Sequence, residues 1–249
     1  FFLNFETMHL APYCRGRIHI DSSFGFILLI LVLSFHKSRT FGFTTLKPRA
    51  GSPRWSVSLL KREMSADADA MDACALLLLA AGDHTAAAAA VLGENQCYEG
   101  RPLNLSAGGC AIGDAGSDAG AVAKALMARE WEDAVGPLFD CAGSLYRASA
   151  ILAGIGDCGS ALREASVEIE DASSVTGCIF LAAAAGPSLV SASESIRAAG
   201  GALSLHGQRI AESGGVYKEA GDHLFQAGVS LTEAGEALER SGTALENGQ

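Results

Sequence analysis

Beyond residue 62 this chain is short of positive charge: nine Lys and Arg stand there against 26 Asp and Glu. A surface so acidic argues against nucleic acid, and against holding anionic lipid by charge alone, and it favours partners with basic surfaces. Period-two alternation is also missing over any length that would make a sheet. The chain has no C-x-x-C pair, and the spacing of Cys74, Cys97, Cys110, Cys141, Cys158 and Cys178 matches no zinc pattern. Their even number permits disulfides. Several sit among Ala and Gly, however, where cysteine behaves as a small apolar residue, and packing is the preferred reading.

Catalytic signatures are absent as well. There is no G-x-x-x-x-G-K-[ST], no H-E-x-x-H and no G-x-S-x-G. "GIGDCG" (154–159) has the form G-x-G-x-x-G, but "LYRASAILA" before it reads as helix, whereas a dinucleotide site needs a strand there. A turn between helices is the better account. Only His84, His206 and His223 follow residue 62. The imidazole of His206 or His223 is able to ligate chlorophyll magnesium, although a hydrogen-bonded or solvated histidine is the ordinary reading. The expectation is a protein that is not an enzyme, with no metal site and no cofactor of its own.

An apolar run covers Phe24–Phe35, twelve residues where a membrane span takes about 20. That length suits the core of a signal peptide. Met8 is the first methionine, so residues 1–7 are expected to be upstream read-through and 8–35 a signal peptide. Residues 36–63 are rich in Lys and Arg, carry hydroxyl side chains and hold only Glu63 as an acid, which is the composition of a transit peptide. Residues 1–62 hold nine basic against two acidic residues, so the charge changes sign at the start of a mature region, 64–249.

That region reads as all-α. Helices are expected over 65–93 with a break near Gly82-Asp83, over 110–135, from Pro137 as a first helical residue, and over 160–172. A loop is expected at 94–109. Residues 172–193 carry no charge but are cut by Gly186-Pro187, and a buried helix ending in a turn fits better than a span.

The strongest pattern lies at 186–246. Gly186, Ser193, Gly200, Gly207, Gly214, Gly221, Gly228, Gly235 and Gly242 recur every seventh residue. Three residues after each stand Leu189, Ile196, Leu203, Ile210, Tyr217, Leu224, Leu231, Leu238 and Leu245. A sustained heptad keeps one seam facing a partner helix and implies left-handed supercoiling. Glycine in that seam lets two backbones approach more closely than the usual 8–10 Å. Eight such glycines cost about 4–8 kcal/mol in helix propensity, so close packing must offset them. The seam Gly200, Leu203, Gly207, Gly214, Gly221, Leu224, Gly228, Leu231, Gly235, Leu238 and Gly242 is therefore the candidate binding site. Its partner helix is expected from residues 64–172 or from another protein. Unbroken, residues 187–246 would run about 90 Å. The doublets Gly200-Gly201 and Gly214-Gly215 are the places for a bend or hairpin. A self-contained antiparallel bundle with no function in the seam is the alternative.

Residues 8–62, a signal peptide followed by a basic stretch with Phe41 near the junction, resemble the bipartite presequence of algae with secondary red plastids. A secreted protein with a basic N-terminal arm is the alternative. With the acidic helical region behind it, the whole chain resembles the pigment-poor linker subunits that connect a photosystem core to its chlorophyll a/c antenna in red-lineage algae. The resemblance implies a plastid location at the thylakoid, a membrane-peripheral subunit, and antenna and photosystem core proteins as partners through helix packing. It implies chlorophyll or carotenoid at most at those interfaces, and it assigns no individual functional residue. An amphipathic helical coat on a plastid lipid or membrane surface is the alternative function, although acids and glycines are unusual for such a helix.

Overall fold

The computed structural model describes residues 66–93, 97–98, 101–176 and 182–247, all inside one contact-defined unit, Arg54–Gln249. Residues 1–7, the signal peptide 8–35 and the transit-like segment 36–63 lie outside the described residues.

The described residues are all-α, with six helices: α1 Ala66–Leu92, α2 Leu105–Ala128, α3 Trp131–Ile151, α4 Cys158–Thr176, α5 Ala182–Glu212 and α6 Val216–Glu246. Each packs on its neighbours in sequence, and α6 returns to pack on α1, so the six close into a ring. Between α1 and α2 a two-residue antiparallel pairing, Cys97–Tyr98 with Arg101–Pro102, is the only extended structure described.

One heptad runs through all six helices. Two small residues are followed, three positions after the second, by an apolar one: Cys74-Ala75 and Leu78 in α1, Ala115-Gly116 and Ala119 in α2, Cys141-Ala142 and Leu145 in α3. The same spacing gives Ala165-Ser166 and Ile169 in α4, Ala199-Gly200 and Leu203 in α5, Ala227-Gly228 and Leu231 in α6. All of these residues are buried. The apolar positions turn inward, and a cavity of about 10 Å³ is lined from every helix, among others by Met71, Ala119, Leu138, Ile169, Ile196 and Leu238. Burying each Leu or Ile contributes roughly 1.5–3 kcal/mol.

The small positions let the helices pair closely as three antiparallel hairpins, α1/α2, α3/α4 and α5/α6. A Cβ placed on Gly82 would lie 2.7 Å from the Gly109 carbonyl oxygen, one on Gly159 2.8 Å from that of Ser149, and one on Gly200 2.6 Å from that of Gly228. Serine is tolerated at these positions because its hydroxyl turns back onto its own helix. Ser149 Oγ donates to the Tyr146 carbonyl at 2.7 Å, Ser166 Oγ to Arg163 at 2.7 Å and Ser193 Oγ to Val190 at 2.6 Å.

Several sequence expectations are corrected here. The long heptad segment is not one 90 Å rod but the α5/α6 hairpin, turned at Gly214-Gly215, whose φ angles of +72° and +60° suit glycine. Gly200-Gly201 makes no bend, and α5 passes straight through it. Gly82-Asp83 does not interrupt α1. Pro137 and Pro187 lie inside α3 and α5 rather than opening them, each early in its helix. Each removes a single intrahelical hydrogen bond there. The chain between α2 and α3 turns at Arg129, in the left-handed region at φ 62°, so helix does not run unbroken over 110–135. Gly186-Pro187 is helical; the link between α4 and α5 falls at residues 177–181, outside the described residues.

Candidate functional site

The glycine seam folds onto itself. Gly186 faces Gly242, Ser193 faces Gly235, Gly200 faces Gly228 and Gly207 faces Gly221, a register symmetric about Gly214. A Cβ on Gly235 would lie 2.7 Å from the Ser193 carbonyl oxygen, and one on Gly221 2.5 Å from that of Gly207. Leu203, Leu224, Leu231 and Leu238 fill the core beside them. Gly214 alone leaves the seam, to make the turn. The glycine seam of residues 186–212 is thus paired with that of residues 216–246, while α5 also packs on α4 and α6 on α1. Thr232 Oγ1 donates to the Gly228 carbonyl at 3.0 Å, and Arg197 pairs with Glu239 at 2.8 Å across the hairpin. These residues form a structural seam closed to an outside helix.

Cys74, Cys141 and Cys158 take small positions of the heptad. Cys74, Cys141 and Cys158 are buried free thiols, and Cys110 is free and exposed. Burial pushes Cys74 and Cys158 up to about 12 and raises Cys141 as well, with Cys74 and Asp118 adding to the effect. The thiolate is the reactive form. In the native protein a thiol reagent is therefore expected to modify Cys110 quickly, and Cys74, Cys141 and Cys158 only on unfolding. Mass mapping of labelled peptides with and without denaturant checks this.

An open groove of about 480 Å³ lies between α2 and α3, which no sequence motif marked. Asp114, Ser117 and Asp118 come from α2, one helical turn apart. Phe139, Asp140, Gly143, Ser144 and Arg147 come from α3. Gly143 leaves the floor open, since nothing lies within 4 Å of where its Cβ would be. Ser144 Oγ donates to Asp118 Oδ2 at 2.9 Å, and an Arg147 guanidinium nitrogen bridges Ser144 Oγ at 3.0 Å and Asp114 Oδ2 at 3.2 Å. Phe139 is 56% exposed at the rim.

Partial burial, reinforced by the charges of Asp140 and Asp114, raises the Asp118 carboxyl above its ordinary range, against the opposing Ser144 hydrogen bond and Arg147 charge. The folded state then holds the proton more tightly than the unfolded one. Asp118 accordingly disfavours folding as pH rises from the ordinary aspartate range through its raised value. Asp118→Asn, which still accepts from Ser144, is expected to match the wild type at low pH and to be slightly more stable at neutral pH. Urea unfolding at the two pH values reads the difference.

The groove offers three carboxylates, one of them paired with Arg147, next to an exposed aromatic ring. That arrangement suits a Lys or Arg side chain: the carboxylates attract the charge and Phe139 covers the stem or takes a cation–π contact.

The remaining histidines fall in separate places. His206 is partly buried beside Gly207 on the α5/α6 seam, whereas His84 of α1 and His223 of α6 lie together, ring centroids 6.0 Å apart. Searches against protein families and against characterised proteins find no match for the chain.

Proposed function

We propose that the chain is a non-catalytic structural subunit that docks on other proteins through its outer surface. In the setting suggested by residues 8–62, it would link light-harvesting antenna proteins to a photosystem core in a plastid, on the periphery of the thylakoid. The observation that supports the docking mode is the acidic groove between α2 and α3, with Phe139 exposed beside Asp114, Asp118 and Asp140. With the glycine seam closed within the chain, contact with partners falls to such outer features. A basic loop on a partner fits the groove's charge, and pigments belong only at the resulting interfaces.

The test is a native sucrose gradient of mildly solubilised thylakoids, probed with an antibody to residues 216–240. Co-migration with a photosystem–antenna band supports the linker reading, and weakened co-migration of the Asp114→Asn, Asp118→Asn, Asp140→Asn triple variant assigns the groove to it. Recovery only in soluble or free-lipid fractions removes it.

One observation favours the alternative, an amphipathic coat on a plastid lipid surface. The exposed side of α1 carries Leu76 and Leu79, and α1 is long and apolar enough, by length and composition, to cross a membrane. Its other face is built into the core through Met71, Cys74 and Leu78. Flotation with protein-free liposomes separates the two readings, because a linker stays at the bottom of the gradient.

A further inference from the structure

The tetrapeptide Ala-Gly-Asp-His occurs twice, at 81–84 in α1 and at 220–223 in α6. The ring of helices brings the two copies together. α1 and α6 pack side by side, Ser241 Oγ donates to the buried Asp67 carbonyl at 3.0 Å, and that antiparallel register carries His84 to His223. The two imidazoles are half-buried, with centroids 6.0 Å apart and planes tilted by 34°.

From this geometry we propose that His84 and His223 form a binding site for one divalent transition-metal ion, which fastens the first helix of the ring to the last. Histidine is the commonest protein metal ligand, and imidazole suits nickel, copper and zinc. With a metal–nitrogen bond of about 2.0–2.1 Å, the ion sits roughly 3.2 Å from each ring centre, and two rings sharing it have centroids no more than about 6.4 Å apart. The observed 6.0 Å falls within that reach. No third Cys, His, Asp or Glu joins the pair among the described residues, so water completes the coordination. Asp83 and Asp222, which precede the two histidines, are exposed carboxylates that favour a cation nearby without ligating it.

The position gives the ion a role. α1 and α6 are the one neighbouring pair in the ring that no adjacent stretch of chain connects. An ion held by both does there what the connecting segments do at the other five interfaces. Binding to the folded chain alone raises its stability in proportion to the logarithm of ion concentration.

The test titrates Ni²⁺ alone into the full chain by calorimetry and follows the thermal midpoint of the wild type, His84→Asn, His223→Asn and Cys110→Ser. The wild type is expected to bind one ion more than either histidine variant, or to bind it at least about tenfold more tightly. Its midpoint should rise with Ni²⁺ while that of the histidine variants does not, and Cys110→Ser should behave as the wild type. Because a histidine variant that is poorly folded without metal would cloud this comparison, Cu²⁺ bound to the wild type is also examined by electron paramagnetic resonance. Hyperfine coupling to two imidazole nitrogens is expected. Equal Ni²⁺ binding by all four proteins, or a copper signal with one nitrogen or none, would show that the pair is only packed and overturn the proposal.

Discussion

Gly221→Ala is expected to lower stability by about 3 kcal/mol, although alanine is the better helix former. The added Cβ would sit 2.5 Å from the Gly207 carbonyl oxygen and against the backbone and Cβ of Ala211. Main chain cannot rotate aside as the end of a side chain does, so the hairpin must open along its length. Gly201→Ala tests the same chemistry with the opposite sign. Gly201 lies inside α5, one residue from the seam, and nothing stands within 4 Å of the position its Cβ would take. Propensity alone acts there, and the change should stabilise by about 0.5–1 kcal/mol. Denaturant unfolding of the two variants reads both signs. If Gly221→Ala is neutral or stabilising, the two backbones are not in contact.

Leu203→Ala carries the second large effect, a loss of about 2–5 kcal/mol. Leu203 is fully buried at the apolar heptad position of α5, where a truncated side chain leaves a void that six packed helices cannot readily close. Leu205, two residues on, is 49% exposed, and Leu205→Ala should stay within about 0.5 kcal/mol of the wild type. A similar loss at both positions would mean that α5 is rotated about its axis from the orientation described.

The contrast between Leu203 and Leu205 was legible in the sequence, because a seven-residue repeat of leucine and glycine names the buried face of a helix before any fold is known. So were the all-α class and the reading of "GIGDCG" as a turn between helices, since residues 154–157 form the turn before α4 begins at Cys158. In the earlier helices Leu138, Leu145 and Leu152 show the seven-residue spacing, but the small positions beside it are written differently. Cys74-Ala75, Cys141-Ala142 and Ala165-Ser166 do the work of Ala227-Gly228, and a search for recurring glycine passes over them. Alanine and serine stand in the place of glycine there, and cysteine in that of alanine, only as far as volume and a hydroxyl bonded to its own helix allow.

The hairpin was harder to read. Gly200-Gly201 and Gly214-Gly215 are the same dipeptide, and local composition does not say which turns the chain. The register decides. Turning at Gly214 sets Gly200 on Gly228 and Gly207 on Gly221, so each glycine's missing side chain is used by another glycine's carbonyl. Turning at Gly200 would leave the last seven-residue repeats without partners. The groove was not legible at all. Its residues lie on two helices, Asp118 bonds to Ser144 twenty-six positions away, and no fixed spacing announces that meeting. The pairing of His84 with His223 depends in the same way on ring closure, which joins α6 to α1.

With the glycine seam satisfied inside one chain, the helical region is expected to fold without a partner. Light scattering coupled to gel filtration of residues 64–249, over a wide range of protein concentration, tests it most directly. A folded, helical species with the mass of a single chain is expected at every concentration. A dimer or larger assembly that unfolds as it dissociates would contradict it, and would return the seam to the role of an interface between chains.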